Sequence, residues 1–198
     1  MSVLKKIIFS LIFLCFSSSI IANTHNIEQI VVIRHGEKPL FEIGQLNCEG
    51  LNRSLLLPAY FKKNFPAPDY LFAPNPSVKI KGYSYIRPLA TIEPTAISLD
   101  KPVNAQIGYN QPQKLMKTLL KLKYHSAVIY VAWEHVNIQK FAKMLLKTFH
   151  NSSEVPYWSY FNYNRVYVFT IDWNKSPAKI AFEITSENMH HLSDKCAK

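Results

Sequence analysis

The sequence predicts an α/β protein, a three-layer sandwich whose central sheet is mostly parallel and carries an antiparallel hairpin at one edge. Two apolar runs, Ile30 to Ile33 and Ser126 to Ala132, indicate the central strands. A strand that is apolar at every position, rather than at alternate ones, is typical of a sheet covered on both faces. A segment with helical periodicity follows each run, as expected when strands and helices alternate along the chain.

Two helices are predicted between these strands. The first runs from about Cys48 to Lys62-Lys63 with Asn47 as its N-cap, and Pro58 is expected to interrupt or kink it. The second, an amphipathic helix, is predicted from Gln113 to Tyr124. Both helices have one apolar face that can pack on the sheet.

Two more helices are predicted, one near Arg87 and one after the second apolar run. The helix that begins near Arg87 is expected to be short or broken, because Pro94 lies inside it. The helix after the second apolar run has a predicted buried face of Ile138, Phe141, Leu145 and Phe149.

Four further strands are predicted from short apolar segments. They are Pro68–Pro74, Lys101–Asn104, Arg165–Ile171 and Ala178–Ile184. The last two are separated by the turn residues 172–177, which predicts the terminal hairpin.

The composition suits one globular domain, residues 23–198, because 48% of the 198 residues are hydrophobic and 18% are charged. The first 22 residues differ from the rest. Lys5 and Lys6 precede the apolar run Ile7–Phe16, the pattern of a secretory signal peptide that is removed on export. Alternatively, Ser17 to Ile21 extend the run into an uncleaved membrane anchor. With cleavage, the expected location is periplasmic or secreted, without stable membrane insertion.

Cleavage would leave two cysteines, Cys48 and Cys196. An oxidising compartment permits a disulfide between them, but spacing alone does not bring them within bonding distance, so paired and unpaired states both stay open. The adjacent His190 and His191 lie near the C-terminus and lack a third ligand at useful spacing. We therefore expect them on a mobile tail and not at a metal site.

The formal charge is +10, or +8 without the two leader lysines (10 − 2). Such a charge attracts anions, including phosphorylated substrates, nucleic acid and membrane lipid. The lysines are dispersed along the faces of two predicted helices, 114–123 and 140–147, and no nucleic-acid motif accompanies them. We therefore expect a small phosphorylated substrate and no nucleic-acid partner.

The first apolar run ends in Arg34, His35 and Gly36. In open α/β sheets, ligands bind at the carboxyl ends of the strands. A neutral imidazole is a nucleophile that can form a covalent intermediate, and the arginine fork matches phosphate oxygens. Glycine lets the backbone approach a ligand closely or adopt a positive φ. This cluster therefore indicates phosphoryl transfer.

Later segments carry further parts of a known pattern. The chain resembles the histidine phosphatase superfamily, the phosphoglycerate mutase-like and acid phosphatase-like enzymes, in four places. These are Arg34-His35-Gly36, the Leu46-Asn47-x-x-Gly50-x-x-Arg53-Ser54 segment, the Ser84-x-x-Arg87-x-x-x-Thr91-x-Glu93 segment, and His135 after the second apolar run. The second of these elements is expected to support the site and not to react.

The resemblance implies a mechanism. His35 would attack phosphorus to form a phosphohistidine, while Arg34, Arg87 and His135 hold the three non-bridging oxygens. Gly36, Glu37 and Lys38 would line the phosphate site beside Arg34 and Arg87. Two arginines and a protonated imidazole supply positive charge, so no metal or cofactor is expected. No insertion is long enough for a large helical cap, which favours a phosphomonoester hydrolase over a mutase.

The proton donor for the leaving group is left open by the sequence. The acid phosphatase-like members have an aspartate directly after the second histidine, where this chain has Val136. Glu134 is the first candidate and Glu37 the second, although Glu37 could instead position Arg34 or His35. An alternative function is a secreted module of the same fold that binds phosphate or a phosphorylated ligand without turnover.

Overall fold

The computed structural model describes residues 26–41 and 43–197 of the chain. The predicted signal peptide, residues 1–22, lies outside the described residues. The elements follow in chain order: β1 (Ile27–Arg34), α1 (Cys48–Asn64), β2 (Tyr70–Pro74), β3 (Lys79–Ile80), β4 (Tyr83–Ser84), α2 (Arg87–Ser98), β5 (Val103–Ile107), α3 (Pro112–Leu119), β6 (Val128–Trp133), α4 (His135–Thr148), β7 (Arg165–Asp172) and β8 (Lys179–Ser186).

The main sheet has six strands in the order β5-β2-β6-β1-β7-β8. The first four are parallel to one another, whereas β7 pairs antiparallel with β1 and with β8. This confirms the predicted mostly parallel sheet with an antiparallel hairpin at one edge. Strands β1 and β6 are neighbours at its centre.

Alternate residues of β1 face two separate apolar cores. Ile30 and Val32 pack in the core that includes the buried residues of α3 and α4, while Val31 and Ile33 pack in the core that includes those of α1 and α2. All four side chains are buried. The sheet is therefore covered by a helix pair on each face, which confirms the three-layer arrangement and explains the unbroken apolar run.

The helix that begins at Arg87 is neither short nor broken, so that expectation was wrong. α2 runs through Pro94 to Ser98. A proline in a helix interior lacks the N–H that would bond to the carbonyl four residues earlier, at a cost of about 3 kcal/mol. Burial of Ile92 and Ala96 against the sheet offsets this cost. α1 likewise continues through Pro58.

The predicted helix 113–124 ends earlier than expected. α3 stops at Leu119, and a separate turn of 3-10 helix covers Leu122–Tyr124. Lys121 between them has extended backbone angles, which breaks the α-helical hydrogen-bonding pattern. The sequence also gave no sign of the β3–β4 hairpin, because two-residue strands are too short to show an alternating pattern.

The C-terminal segment is tied to the start of α1. Cys48 and Cys196 form a disulfide, with their Cα atoms 4.4 Å apart, which settles the alternative left open by the sequence. The side-chain amide of Asn52 donates to the carbonyls of Ser193 and Lys195, at 2.9 and 2.8 Å. The segment that contains His190 and His191 is therefore held between fixed points and is not the mobile tail that was expected.

Within the described part of the chain, no helix has both the length and the apolar character needed to cross a bilayer.

Candidate functional site

The site lies where β1 and β6 end side by side. Arg34 and Trp133 are paired across the two strands, and the backbone N–H of His35 donates to the Trp133 carbonyl at 2.9 Å. The residues that follow each strand, His35 on one and Glu134 and His135 on the other, therefore emerge at the same edge of the sheet. His135 is the first residue of α4.

The start of α2 joins this edge through one hydroxyl group. The backbone N–H of Gly36 donates to Thr91 Oγ1 at 2.9 Å, and the same hydroxyl donates to the carbonyl of Arg87 at 2.8 Å. Thr91 is fully buried. This bridge fixes Arg87, the first residue of α2, relative to the loop that carries His35.

His35 is held in one tautomer. Its Nδ1 lies 2.7 Å from the carbonyl oxygen of Gly36, which can only accept, so Nδ1 carries the hydrogen and Nε2 of the neutral ring has a free lone pair. Burial lowers the pKa of His35 well below its usual value, and the charges of Arg34, Arg87 and His135 lower it further. The ring is therefore a neutral base or nucleophile at neutral pH.

The same effects show that the four predicted residues lie together. Arg34, Arg87 and His135 all act electrostatically on His35, and the side chains of Arg34, His35 and Arg87 are buried. Arg34, His35, Arg87 and His135 therefore all lie near the carboxyl ends of β1 and β6. Two guanidinium groups close to a neutral imidazole suit the binding of a tetrahedral anion.

Arg34 is anchored at one nitrogen. Its Nη1 donates to the carbonyls of Tyr160 and Asn162, at 2.6 and 3.1 Å, and its guanidinium lies over the Tyr163 ring with 3.9 Å to the centroid. Among the described residues, Nε and Nη2 have no hydrogen-bond partner although they are buried. Buried donors in this state are costly unless a ligand accepts from them.

Aromatic rings enclose His35. Tyr85 and Tyr163 meet its ring edge-on, at centroid distances of 6.0 and 6.1 Å. Tyr85 also lies beneath the Arg87 guanidinium, 4.6 Å from its centroid. Burial raises the pKa of both tyrosines, so they stay neutral at physiological pH. These rings lower the local dielectric and strengthen charge interactions in the site.

Glu134 caps α4. Its carboxylate accepts from the backbone N–H groups of Val136 and Asn137, at 2.9 and 3.0 Å, and from the Asn137 side chain at 2.7 Å. Its Oε1 also lies 2.8 Å from His135 Nδ1, a charge contact whose angle is poor for a hydrogen bond. Burial raises the pKa of Glu134, but these contacts outweigh it and the net pKa is lowered. An ionised cap does not fit the expected proton donor.

Glu37, the second candidate for the proton donor, is bonded to an arginine. Both of its oxygens accept from Arg53 on α1, at distances from 2.6 to 3.1 Å. Arg53 also bonds to the buried Glu187, to Asn164 and to the Met189 carbonyl. Glu37 therefore belongs to a buried ion-pair network that ties the His35 loop to α1 and to the C-terminal segment, and it is neither an available acid nor a phosphate ligand.

Gly36 is required for space and not for a positive φ. A Cβ at Gly36 would lie 2.9 Å from the Cα of Gly50, and a Cβ at Gly50 would lie 2.3 Å from the carbonyl oxygen of Glu37. The start of α1 therefore packs directly against the His35 loop, which fits the supporting role expected of this segment. Lys38 follows, and its ammonium lies over the Tyr160 ring at 5.3 Å.

Residues distant in the chain contact and position Arg34 and Arg53, and they were not predicted from the sequence. The aromatic run 157–163 gives Tyr163 and the Tyr160 carbonyl to Arg34, and Glu187 pairs with Arg53. The density of aromatics in that run was the only signal for the first set. In the described residues, no group of three or more His, Cys, Asp or Glu side chains could hold a metal ion.

Comparison with models of known protein families gives no match, and comparison with curated proteins gives none either. Solved structures share the fold at low identity. A candidate phosphohistidine phosphatase, SixA, from Nakamurella multipartitia superposes with a TM-score of 0.55 and 12% identity, over 80% of this chain and 95% of that chain.

Two further structures extend this likeness. Phosphoglycerate mutase from Plasmodium falciparum has a TM-score of 0.52 and 14% identity, over 87% of this chain and 98% of its own. A phosphoserine phosphatase mutant from Entamoeba histolytica, in complex with phosphoserine, has a TM-score of 0.50 and 14% identity, over 83% and 99%. At these identities the likeness establishes the fold alone.

Proposed function

From the phosphoglycerate mutase-like fold that this chain shares with the histidine phosphatase superfamily, we propose that it is a metal-independent phosphomonoester hydrolase that works through a phosphohistidine on His35. One observation carries the proposal. The Nδ1–H bond to Gly36, in a buried and positively charged setting, leaves Nε2 of His35 unprotonated and ready to attack phosphorus.

The reaction has two displacements. Nε2 of His35 forms a bond to phosphorus while the bond from phosphorus to the substrate oxygen breaks, and the leaving group departs as an oxyanion that takes a proton from solvent water. Water then attacks the phosphohistidine, the N–P bond breaks, and inorganic phosphate is released. Each step moves negative charge onto the non-bridging oxygens, which positioned cations stabilise.

Arg34, Arg87 and His135 hold these oxygens. The support for Arg34 is its pair of buried donors, Nε and Nη2, beside a third nitrogen that two backbone carbonyls fix in place. Arg87 and His135 each begin a helix at the same edge of the sheet, so the positive ends of two helix dipoles also face the phosphate. No metal is needed for this charge balance.

Glu134 is proposed to orient His135 instead of donating a proton. Its contact with His135 Nδ1 would direct the opposite ring nitrogen to the phosphate. Glu37, fixed by Arg53, would hold the backbone of the His35 loop. With Glu134 capping α4 and both oxygens of Glu37 bonded to Arg53, turnover should favour leaving groups that depart without acid help, such as aryl phosphates. The physiological substrate is a small phosphorylated compound.

The Cys48–Cys196 disulfide supports an exported protein, because such bonds persist in oxidising compartments. Together with the leader-like residues 1–22, it favours the periplasm or the extracellular medium. A second candidate function is phosphate binding without turnover. The observation in its favour is that both candidate proton donors are already paired, Glu37 with Arg53 and Glu134 with His135.

A direct assay separates the two functions. The purified protein is mixed with an aryl phosphate in the presence of a chelator, and the release of the phenol is followed. We expect hydrolysis by the wild type, loss to the buffer rate in His35→Ala, and full activity in His190→Ala, a matched change at an exposed histidine. A wild-type protein that binds vanadate but does not hydrolyse the aryl phosphate would contradict the hydrolase function and support the binding function.

A further inference from the structure

Exposed apolar side chains and lysines lie on three segments that adjoin the site residues in the chain. We define the mouth rim as Leu40, Phe41, Lys79, Lys81, Tyr83 and Phe161. Leu40 is 97% exposed, Phe41 82% and Phe161 84%, and Tyr83 and both lysines are also exposed. Large apolar side chains at such exposure are unfavourable in water, and a group of them marks an interaction surface.

The three segments of the mouth rim are in contact with one another. The loop after β1 meets the β3–β4 hairpin at Gly44, where a Cβ would lie 2.0 Å from the Ser84 carbonyl oxygen. The same loop reaches the loop before β7 through Lys38, whose ammonium lies 5.3 Å from the Tyr160 ring centroid. Tyr160 in turn packs on Phe161 at 5.2 Å. The three segments that carry the rim residues therefore touch one another.

Two segments of the mouth rim lead to residues at His35. Tyr85 follows the β3–β4 hairpin directly and contacts the His35 ring, and Tyr163 follows the Phe161 segment by two residues and contacts the same ring. A partner that covers the mouth rim would thus lie close to the segments that position His35.

Charge and shape favour a lipid surface over a protein. The exposed apolar side chains belong to separate segments, and Lys79 and Lys81 lie on the same hairpin as Tyr83. Proteins that insert aromatic and aliphatic side chains between anionic headgroups combine these two kinds of residue. Residues 23–198 carry a formal charge of +8 (10 − 2). Of the two acidic residues in the first loop, Glu37 is paired with Arg53, and Glu42 lies outside the described residues.

We propose that the mouth rim docks reversibly on an anionic lipid bilayer, with Leu40, Phe41 and Phe161 entering the headgroup region and Lys79 and Lys81 contacting lipid phosphates. The docking is peripheral and needs no membrane-spanning helix. It does not depend on turnover, so the His35→Ala variant binds the bilayer as the wild type does.

Vesicle sedimentation tests the docking. The full chain, as the producing cell processes it, is mixed with vesicles of phosphatidylglycerol and phosphatidylcholine at physiological salt. We expect wild type and His35→Ala to sediment equally, and the triple change Leu40→Ser, Phe41→Ser, Phe161→Ser to lower the partition coefficient at least tenfold. Residues 1–22 are the same in every variant, so they cannot cause this difference.

Matched controls remove exposed side chains elsewhere. Ile97→Ser with Leu122→Ser deletes apolar residues that are 70% and 82% exposed, and should change the partition less than twofold. Lys79→Ser with Lys81→Ser should weaken binding about tenfold or more, since each lysine at an anionic surface contributes about 1 kcal/mol. Lys140→Ser with Lys143→Ser, an exposed pair on α4, should have a smaller effect.

A fluorescence measurement reports the surroundings of the rim residues in the bound state. Trp133 and Trp158 are buried and Trp173 is half-buried in every variant, so the signal of the tryptophan added by Phe41→Trp is read as the difference from wild type. Its emission should shift to shorter wavelength on anionic vesicles, and that of Leu122→Trp should not. Absence of wild-type binding would overturn the proposal and leave the rim to a protein partner. Equal effects of rim and control variants would overturn it as well.

Discussion

Nδ1 of His35 lies 2.7 Å from the carbonyl oxygen of Gly36, the next residue in the chain. The backbone N–H of Gly36 donates to Thr91 Oγ1 in α2, which helps to fix the position of this residue. This relationship sets the tautomer of the proposed nucleophile without any help from a carboxylate. It makes the protonation of His35 the first property to measure.

We expect His35 to remain neutral where an ordinary histidine titrates. Its pKa is lowered by burial and by Arg34 and Arg87, so protonation requires a lower pH than usual. In ¹⁵N NMR spectra, the His35 ring should keep a protonated Nδ1 and a bare Nε2 across about pH 5.5 to 7.5, the range around the usual histidine value. A titration of His35 within that range would contradict this expectation.

Glu134→Gln tests the proton-donor assignment. Because Glu134 is an ionised helix cap, the variant should lose about 1 kcal/mol of stability and less than about tenfold in rate, for good and poor leaving groups alike. General acids contribute about 10²–10⁴-fold. The rates are measured over a series of substituted aryl phosphates. A roughly 10²–10⁴-fold loss of rate in Glu134→Gln that is confined to poor leaving groups would show that Glu134 is the general acid.

Arg53→Met should destabilise the fold strongly. The change leaves Glu37 and Glu187 buried without their shared cation, and breaking a buried ion pair costs about 3–5 kcal/mol. Urea unfolding measures the free energy. Lys63→Met, on the exposed side of the same helix, should stay within about 0.5 kcal/mol of wild type. Equal stability of the two variants would show that the network does not hold the C-terminal segment.

Glu28 should make the protein less stable as pH rises. It is buried on β1, its only described partner is the Trp173 ring N–H at 2.9 Å, and burial raises its pKa to about 8. The folded state therefore holds a proton that the unfolded state releases near its ordinary value. The stabilisation is complete below about pH 4.5 and is lost as pH rises toward 8.

Glu28→Gln should flatten this dependence. Urea unfolding between about pH 5 and 9 should show wild type losing a few kcal/mol relative to the variant, because a pKa unit corresponds to about 1.36 kcal/mol. Glu154→Gln, at an exposed carboxyl, is the control and should follow wild type. Parallel curves for Glu28→Gln and wild type would show that Glu28 does not titrate on folding.

Local patterns were sufficient for the sheet and for the two histidines. The unbroken apolar runs were enough to predict β1 and β6 as central strands. Because these strands pair in parallel, the polar residues that follow them lie at the same edge of the sheet. The prediction of a short or broken helix at Pro94 was wrong, because the packing of Ile92 and Ala96 outweighs the low helix propensity of proline.

Contacts between distant segments could not be predicted. Glu134 precedes His135 in sequence, which suggested an acid, but the backbone geometry at the start of α4 makes it a cap. The partner of Arg53, Glu187, lies 134 residues away, and Arg34 depends on carbonyls that have no sequence pattern at all. Such pairings are set by the tertiary fold.

The most direct measurement is the phosphoenzyme itself. The protein is mixed for a short time with an aryl phosphate carrying labelled phosphorus, quenched in base, and split for analysis. We expect label that survives base, is lost in acid, maps to the peptide containing His35, and is absent from His35→Ala while present in His190→Ala. Label that is stable in acid, or that persists in His35→Ala, would contradict a phosphohistidine at this site.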